Sequence, residues 1–290
     1  MKYRVHHTTV FDYKLPVISS HQVLRLKPRN VPNRQKVLNH AIKLSVAYSD
    51  SLELDDYFGN HLVEVRMHTR HNRLSIASDA EIDVSPRDEI LLELSPPWTE
   101  VARQLAEPDN PEEWAAAQFC FASPHIDVLD AFEFAGQFAQ QETSLLRLAL
   151  NVTQTIFREF TYRGGVTDVR TDVRDVIKSR MGVCQDFAHL AIATLRSLGL
   201  ATRYVSGYIL SNPNGSELLG AEASHAWISV YCPKFGWVDF DPTNNQITSD
   251  QHITLGWGRD YADVAPTRGS ILGGGTQKLS VDVSVQPLNN

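Results

Sequence analysis

A cysteine just ahead of an apolar helix pattern, a histidine on one later strand and an aspartate on the next could together carry out covalent acyl transfer. The cysteine is Cys184, in Met181-Gly182-Val183-Cys184-Gln185-Asp186-Phe187. Its place predicts a sulfur at a helix N-terminus, where unpaired amide N–H groups and the positive end of the helix dipole favour the thiolate. Gly182 is expected to let the chain turn sharply and leave room for a substrate. Position alone leaves a second reading open, because a free cysteine is commonly a small apolar residue packed inside. Cys120, beside Phe119 and Phe121, and Cys232, before Pro233, have no helix entry and read as packing or surface residues.

A thiolate nucleophile needs a base to take and return a proton, and a third group to orient that base. His225 and Asp241 are the candidates. In Ser224–Tyr231 the odd positions share one face and Ala226, Ile228 and Val230 the other; in Gly236–Asp241 the same alternation sets Trp237, Asp239 and Asp241 against Val238 and Phe240. A hairpin around Cys232-Pro233-Lys234 that pairs Tyr231 with Phe235 also pairs His225 with Asp241. A one-residue slip would turn Asp241 to the wrong face. Taken singly, His225 reads first as a strand-edge histidine bonded to backbone and Asp241 as a turn residue before Pro242, while Asp239 is a rival orienter on the same face. Trp227 shares that face but is assigned to core packing.

These residues must be positioned by the surrounding elements. From Tyr3 to Tyr13 the alternation Tyr3, Val5, His7, Thr9, Phe11, Tyr13 has the period of a half-buried strand. Further short strands are expected at Val23–Leu26, Ala41–Tyr48, His61–Met67 and Leu74–Val84, so residues 1–95 read as a β domain, a sandwich or an open barrel. Ser95-Pro96-Pro97 marks a boundary. Behind it, Leu145, Leu148, Ala149, Val152 and Ile156, and then Phe187, Leu190, Ala191 and Leu198, recur at helical spacing, with Gly199 as a C-terminal cap. Strands are expected at Thr202–Ile209, His225–Tyr231 and Gly236–Asp241. Residues 96–270 therefore form an α+β core, and residues 271–290 supply a final alternating strand that could join either sheet.

The composition excludes several classes. With 42% hydrophobic and 21% charged residues the chain resembles soluble globular proteins. Its net charge is -7 and it has no basic run, so a nucleic-acid partner is not expected. No signal-length apolar segment opens the chain and no long apolar stretch occurs, so a cytoplasmic protein without a membrane partner is expected. The three cysteines show no C-x-x-C spacing, and His68 and His71 lack metal-site company, so neither a metal nor a cofactor is expected. Gly256-Trp257-Gly258 and Gly273-Gly274-Gly275 do not fit a nucleotide loop.

Read together, Gly182-Val183-Cys184-Gln185-Asp186, Ser224-His225-Ala226-Trp227 and Gly236-Trp237-Val238-Asp239-Phe240-Asp241-Pro242-Thr243-Asn244 resemble the transglutaminase-like superfamily of cysteine enzymes. Arg203-Tyr204-Val205-Ser206-Gly207-Tyr208 and Gly258-Arg259-Asp260-Tyr261-Ala262-Asp263 are similar to its bacterial branch. Tyr3, His7, Thr9, Tyr13, Leu26, Pro28 and Asp56-Tyr57-Phe58-Gly59-Asn60 resemble the β domain that precedes the core in many bacterial members. The resemblance implies a papain-like core with the nucleophile helix packed on an antiparallel sheet. It also implies Cys184 as nucleophile, His225 as general base then acid, and Asp241 as the group that holds the imidazole tautomer. Many crosslinking members carry tryptophan directly after the nucleophile, where this chain has Gln185. The expected reaction is therefore hydrolysis of a peptide, isopeptide or protein amide through a thioester, as in a cysteine protease or amidase. Transglutaminase-type amine transfer and a non-catalytic peptide-binding module are the alternatives. The oxyanion is expected to meet the Cys184 backbone N–H and a side-chain donor, Gln185 or Tyr208.

Overall fold

The computed structural model describes residues 1–139, 142–165, 171–210, 218–220 and 224–288. The alternation that opens the chain extends far beyond Tyr13. β1 runs from Lys2 to Leu24 and takes in half of the segment expected as a separate strand at Val23–Leu26. β2 (Gln35–Leu44), β3 (Asp50–Asp55), β4 (His61–Met67) and β5 (His71–Val84) follow. β2 begins earlier than the expected Ala41–Tyr48, and β3, a fully exposed strand, has no buried alternation to reveal it. The register of β1 shifts between Asp12 and Val17 against β5 and between Val17 and Ser19 against the later strand Thr267–Gly273. Such irregularities add twist and bend a strand. The sheet, in order β2-β5-β1-β4-β3, curls into a half-barrel, which selects the open barrel over the sandwich.

The prolines at 96 and 97 lead directly into α1 (Trp98–Ala106), followed by α2 (Pro111–Ala117), α3 (Phe132–Ala139) and α4 (Leu145–Glu159). A short parallel pair, β6 (Thr161–Tyr162) with β7 (Met181–Gly182), brackets α5 (Val173–Ser179) and leads into α6 (Cys184–Ser197). The second sheet contains β8 (Thr202–Ile209), β9 (His225–Cys232), β10 (Gly236–Asp241), β11 (Gln246–Ile247) and β12 (His252–Gly258), in the antiparallel order β11-β10-β9-β8-β12. On one face Ala226, Ile228, Val230, Val238 and Phe240 join Leu190, Ala191 and Leu195 of α6 in the main core. This fully apolar layer holds the helix to the sheet, because each of its valine, leucine, isoleucine and phenylalanine side chains contributes roughly 1.5–3 kcal/mol on burial. Gly199, at φ +78°, ends the helix region as expected.

After α7 (Tyr261–Val264), β13 (Thr267–Gly273) and β14 (Gln277–Pro287) both pair with β1. The C-terminal segment, whose attachment its alternation left open, thus returns to the half-barrel, and it carries the end of one strand and all of another. The half-barrel segment in turn grips the core. Gln35 bonds both the carbonyl and the N–H of Thr254, at 2.7 and 2.8 Å, and Asn60 does the same to Trp257, at 2.8 and 3.0 Å. Gly256 makes this possible, since a Cβ there would lie 2.7 Å from Asn60 Oδ1. Strand β12 is therefore clasped by side chains of the first segment. Among the described residues no helix is long and apolar enough to cross a membrane.

Candidate active site

Cys184 opens α6, and its approach is pinned on both sides. Thr161 N–H donates to Arg180 O and Arg163 N–H to Gly182 O, each at 2.8 Å, so the strand before the cysteine is held by its parallel partner. Asp186 Oδ2 then accepts from Val183 N–H at 2.8 Å and caps the helix start; valine has no polar atom with which to reciprocate. The Asp186 side chain fills the space over Gly182, where a Cβ would lie 2.8 Å from Asp186 Cβ. The room expected there for substrate is taken by the cap.

His225 begins β9 and Asp241 ends β10, and both are buried. His225 Nε2 lies 2.8 Å from Asp241 Oδ2. The register that joins them differs from the expected one: Tyr231 pairs with Trp237 and Ile228 with Phe240, which sets Asp241 diagonal to His225 rather than opposite it. The cause lies in the turn. Phe235 N–H bonds Cys232 O, and Gly236, at φ +66°, closes the three-residue loop in the left-handed conformation that glycine adopts freely. The shift is even, so Asp241 keeps its face, and diagonal neighbours remain within reach of long side chains.

Asp241 is saturated with donors. Its Oδ1 accepts from the backbone N–H groups of Thr243 and Asn244 at 2.9 and 3.2 Å, and its Oδ2 is met by Asn244 Nδ2 at 2.8 Å and His252 Nε2 at 3.2 Å besides His225. Burial alone would raise this carboxyl's pKa, but the charges and hydrogen bonds of His225 and His252 override it and hold the group far below the ordinary carboxylate range. Burial likewise pulls the His225 ring down. The charge and hydrogen bond of Asp241 prevail, with the influence of the nearby Cys184 added, and push the imidazole up to about 10. Asp241 occupies Nε2, which leaves Nδ1 as the nitrogen for the sulfur. Nδ1 nevertheless makes no aligned hydrogen bond with any described residue, so the thiol is near but not locked. Hydrogen bonds of this kind are often long or misaligned before substrate arrives.

The other two cysteines differ in character. Burial pushes the Cys120 thiol up to about 11 and also raises that of Cys232, and all three cysteines are unpaired.

The family described as "Transglutaminase-like superfamily" matches residues 133–242, and the "Bacterial transglutaminase-like N-terminal region" matches residues 3–83. The chain belongs to the transglutaminase-like superfamily. Among its relatives, the uncharacterized protein Rv2569c of Mycobacterium tuberculosis is 37% identical over 294 residues, covering 98% of this chain and 91% of that one. The crystal structure of "a Putative Cysteine Protease from Cytophaga hutchinsonii" superposes with a TM-score of 0.78 at 21% identity, covering 100% of this chain and 91% of the other, and so shares the fold. A stretch of 68 residues is 37% identical to the protein-glutamine gamma-glutamyltransferase of Pseudomonas aeruginosa, covering 22% of this chain and 10% of that protein.

In this transglutaminase-like protein the structure brings Cys184, His225 and Asp241 together, and Gln185 is half-buried beside Cys184 in the first turn of α6. Tyr208 lies elsewhere: its hydroxyl is 3.0 Å from His7 Nδ1, and its ring packs with Tyr3, Val5 and Ile253 where the half-barrel meets the core. Tyr204, four residues earlier on the same strand face, lies instead in the core that also holds Cys184. Burial first, then the charge of Cys184, hold its hydroxyl protonated well above the usual tyrosine range. Asp239, the rival orienter, meets Trp227 Nε1 at 3.4 Å. Residue spacing also missed Asn244 and His252. Asn244 stands inside the motif Gly236–Asn244, and His252 and Thr254 alternate with Ile253 and Leu255 as a strand's residues do.

Proposed function

We propose that this protein is a cysteine-nucleophile acyl-transfer enzyme that hydrolyses amide bonds of a peptide, isopeptide or protein through a thioester on Cys184. The observation that carries this reading is the Cys184 thiol at a helix N-terminus beside a His225 ring whose far nitrogen is held by Asp241. In this reading the sulfur attacks the carbonyl carbon, and the carbonyl electrons move onto oxygen. The Cys184 N–H has no intrahelical partner at that position and supports the oxyanion. His225 gives its Nδ1 proton to the departing amine as the tetrahedral adduct collapses to the thioester. Neutral His225 then takes a proton from water, which attacks the thioester and releases the acid and the thiol. Asp241, tied by five donors, holds the ring's orientation and its Nε2–H tautomer throughout.

Tyr204 and Gln185 supply the side-chain donor in this scheme, with Tyr204 favoured because its hydroxyl stays protonated. A Tyr204→Phe variant should lose about 100-fold in kcat with little change in KM, as expected for a donor used only in the transition state. An equal loss in KM alone would assign Tyr204 to substrate binding.

The 68-residue likeness to a glutamine transferase favours amine transfer as the second reading. The two differ in what resolves the thioester. Offered glutamine-containing peptides and isopeptides together with a labelled amine, the protein should release peptide or ammonia without incorporating label. Label entering glutamine peptides faster than hydrolysis would establish transfer instead. Neither reaction, together with a Cys184 thiol that alkylates no faster than Cys120, would leave a peptide-binding module.

A further inference from the structure

The face of the five-stranded sheet turned away from α6 carries a second cluster of chemistry that the proposed reaction does not use. Arg203 and Asp239 alternate along their strands with Tyr204, Val238 and Phe240, which lie in the α6 core. On their side the sheet faces the first segment of the chain across a cavity of about 370 Å³, whose polar walls are Arg34, Arg87, Arg203, Asp239 and His252, with Trp237 and Trp257 beside them. A volume of this size falls in the range of about 300–1,000 Å³ typical of small-molecule sites.

The protein accounts for the arginines only in part: Arg87 Nη2 donates to Trp237 O at 2.7 Å, but other donors are left over. Arg34 Nη1, Arg87 Nη1 and Arg203 Nε are each buried without a hydrogen-bond partner. None of the three is among the ion pairs formed by the described residues. Arg203 is only 9% exposed and lies between two indoles, 4.2 Å from the Trp237 ring centroid and 3.8 Å from that of Trp257. Stacking of this kind orients a guanidinium and offsets part of its desolvation, but it leaves the in-plane N–H groups unused. Burial, with the charges of Arg29 and Arg87 added against that of Asp239, lowers Arg203 to about 9. Arg34 is lowered by burial and by Arg87, which prevail over the charges of Asp239 and Asp250. The cations therefore repel one another in a chain whose net charge is -7. Three arginines against the single carboxylate of Asp239 leave two positive charges in excess along the lining. An unpaired buried charge costs several kcal/mol, and planar N–H forks are the groups best matched to oxyanions.

We propose that this cavity is a binding site for a small doubly charged oxyanion, a phosphate monoester or a dicarboxylate, held by Arg34, Arg87 and Arg203. The ligand's two negative charges balance the excess in the lining, and its oxygens accept from the unpartnered N–H groups. His252 is the wall shared with the candidate active site, since its Nε2 reaches Asp241 at 3.2 Å. The site itself stands independently of the reaction assigned to Cys184.

The test uses the full chain near neutral pH, titrated separately with inorganic phosphate and with succinate, with chloride holding the ionic strength constant. Binding is read from the melting temperature and from the fluorescence of Trp237 and Trp257. The expected result is a saturable rise in melting temperature with a saturable fluorescence change below about 10 mM anion. Arg34→Gln and Arg87→Gln should each weaken the apparent affinity about tenfold or more, as loss of a charge-assisted hydrogen bond requires, while Arg147→Gln, on a surface ion pair outside the cavity, should leave it unchanged. Saturation by phosphate alone marks a phosphoryl ligand, and saturation by succinate alone a dicarboxylate. No saturable response to either anion, or an equal response in both cavity variants and the wild type, overturns the proposal.

Discussion

A Cys184→Ala variant should lose turnover by a factor on the order of 10⁴ to 10⁶ while keeping the fold, because a nucleophile acts together with its base and its removal leaves only binding and oxyanion support. The fold is expected to survive because Cys184 lies at the edge of the core, 9% exposed, and alanine fills most of its volume. The accompanying measurement is alkylation near neutral pH. Iodoacetamide should label Cys184 in the wild type ahead of the other two thiols, since burial raises Cys120 to about 11 and raises Cys232 as well, and Cys232 is fully buried. Mass spectrometry of the labelled peptides reads this directly. Labelling that follows solvent exposure alone, with half-buried Cys120 modified first, would remove the nucleophile from the mechanism.

An Asp241→Asn variant should lose about 10⁴-fold in kcat, the scale set when a histidine loses the carboxylate that orients it. The variant also tests the electrostatics with a defined sign. In the wild type the His225 ring is raised from 6.5 to about 10, so it remains protonated through neutral pH. Its contribution to stability is fully present below about pH 6.5 and is lost as pH rises through about 10. Asp241 is depressed, so its contribution is present above its ordinary value of 3.8 and is lost only as pH falls well below that. Without the carboxylate, burial becomes the dominant influence on the ring, and His225 should titrate below 6.5. Side-chain nitrogen NMR of the histidines should show one ring that stays protonated to about pH 10 in the wild type and becomes neutral at pH 7 in the variant. A ring that titrates at the same pH in both proteins would mean that Asp241 does not set its charge.

Asp241 also explains why the half-barrel belongs to the same functional account. His252 reaches this carboxylate from β12, and β12 is held by Gln35 and Asn60 of the first segment through paired backbone bonds at Thr254 and Trp257. The motif Asp56-Tyr57-Phe58-Gly59-Asn60 therefore shapes a loop that braces a strand of the core. Asp56 accepts from the backbone of Phe58 and Asn60 at 3.0 and 2.9 Å, and this fixes the Asn60 side chain toward β12.

Local patterns were sufficient for what depends on local physics. Helical spacing located α4 and α6, alternation located β4, β8 and β10 to the residue, and the glycine at position 199 marked the end of α6. Motif order singled out Cys184, His225 and Asp241, whose side chains the fold then brings together. Other features depend on partners distant in the chain, and only the tertiary structure decided them. The hairpin register moved by two residues because a left-handed conformation at Gly236 closes the turn. Tyr208 turned to His7, a partner 201 positions away, because the end of β8 packs where the half-barrel meets the core. The final strands joined β1 rather than the core, a choice between two sheets that alternation cannot make. The roles of Tyr204 and of the arginine-lined cavity follow the same rule: the charge and burial of each side chain are set by residues on other elements, and spacing along the chain carries no record of them.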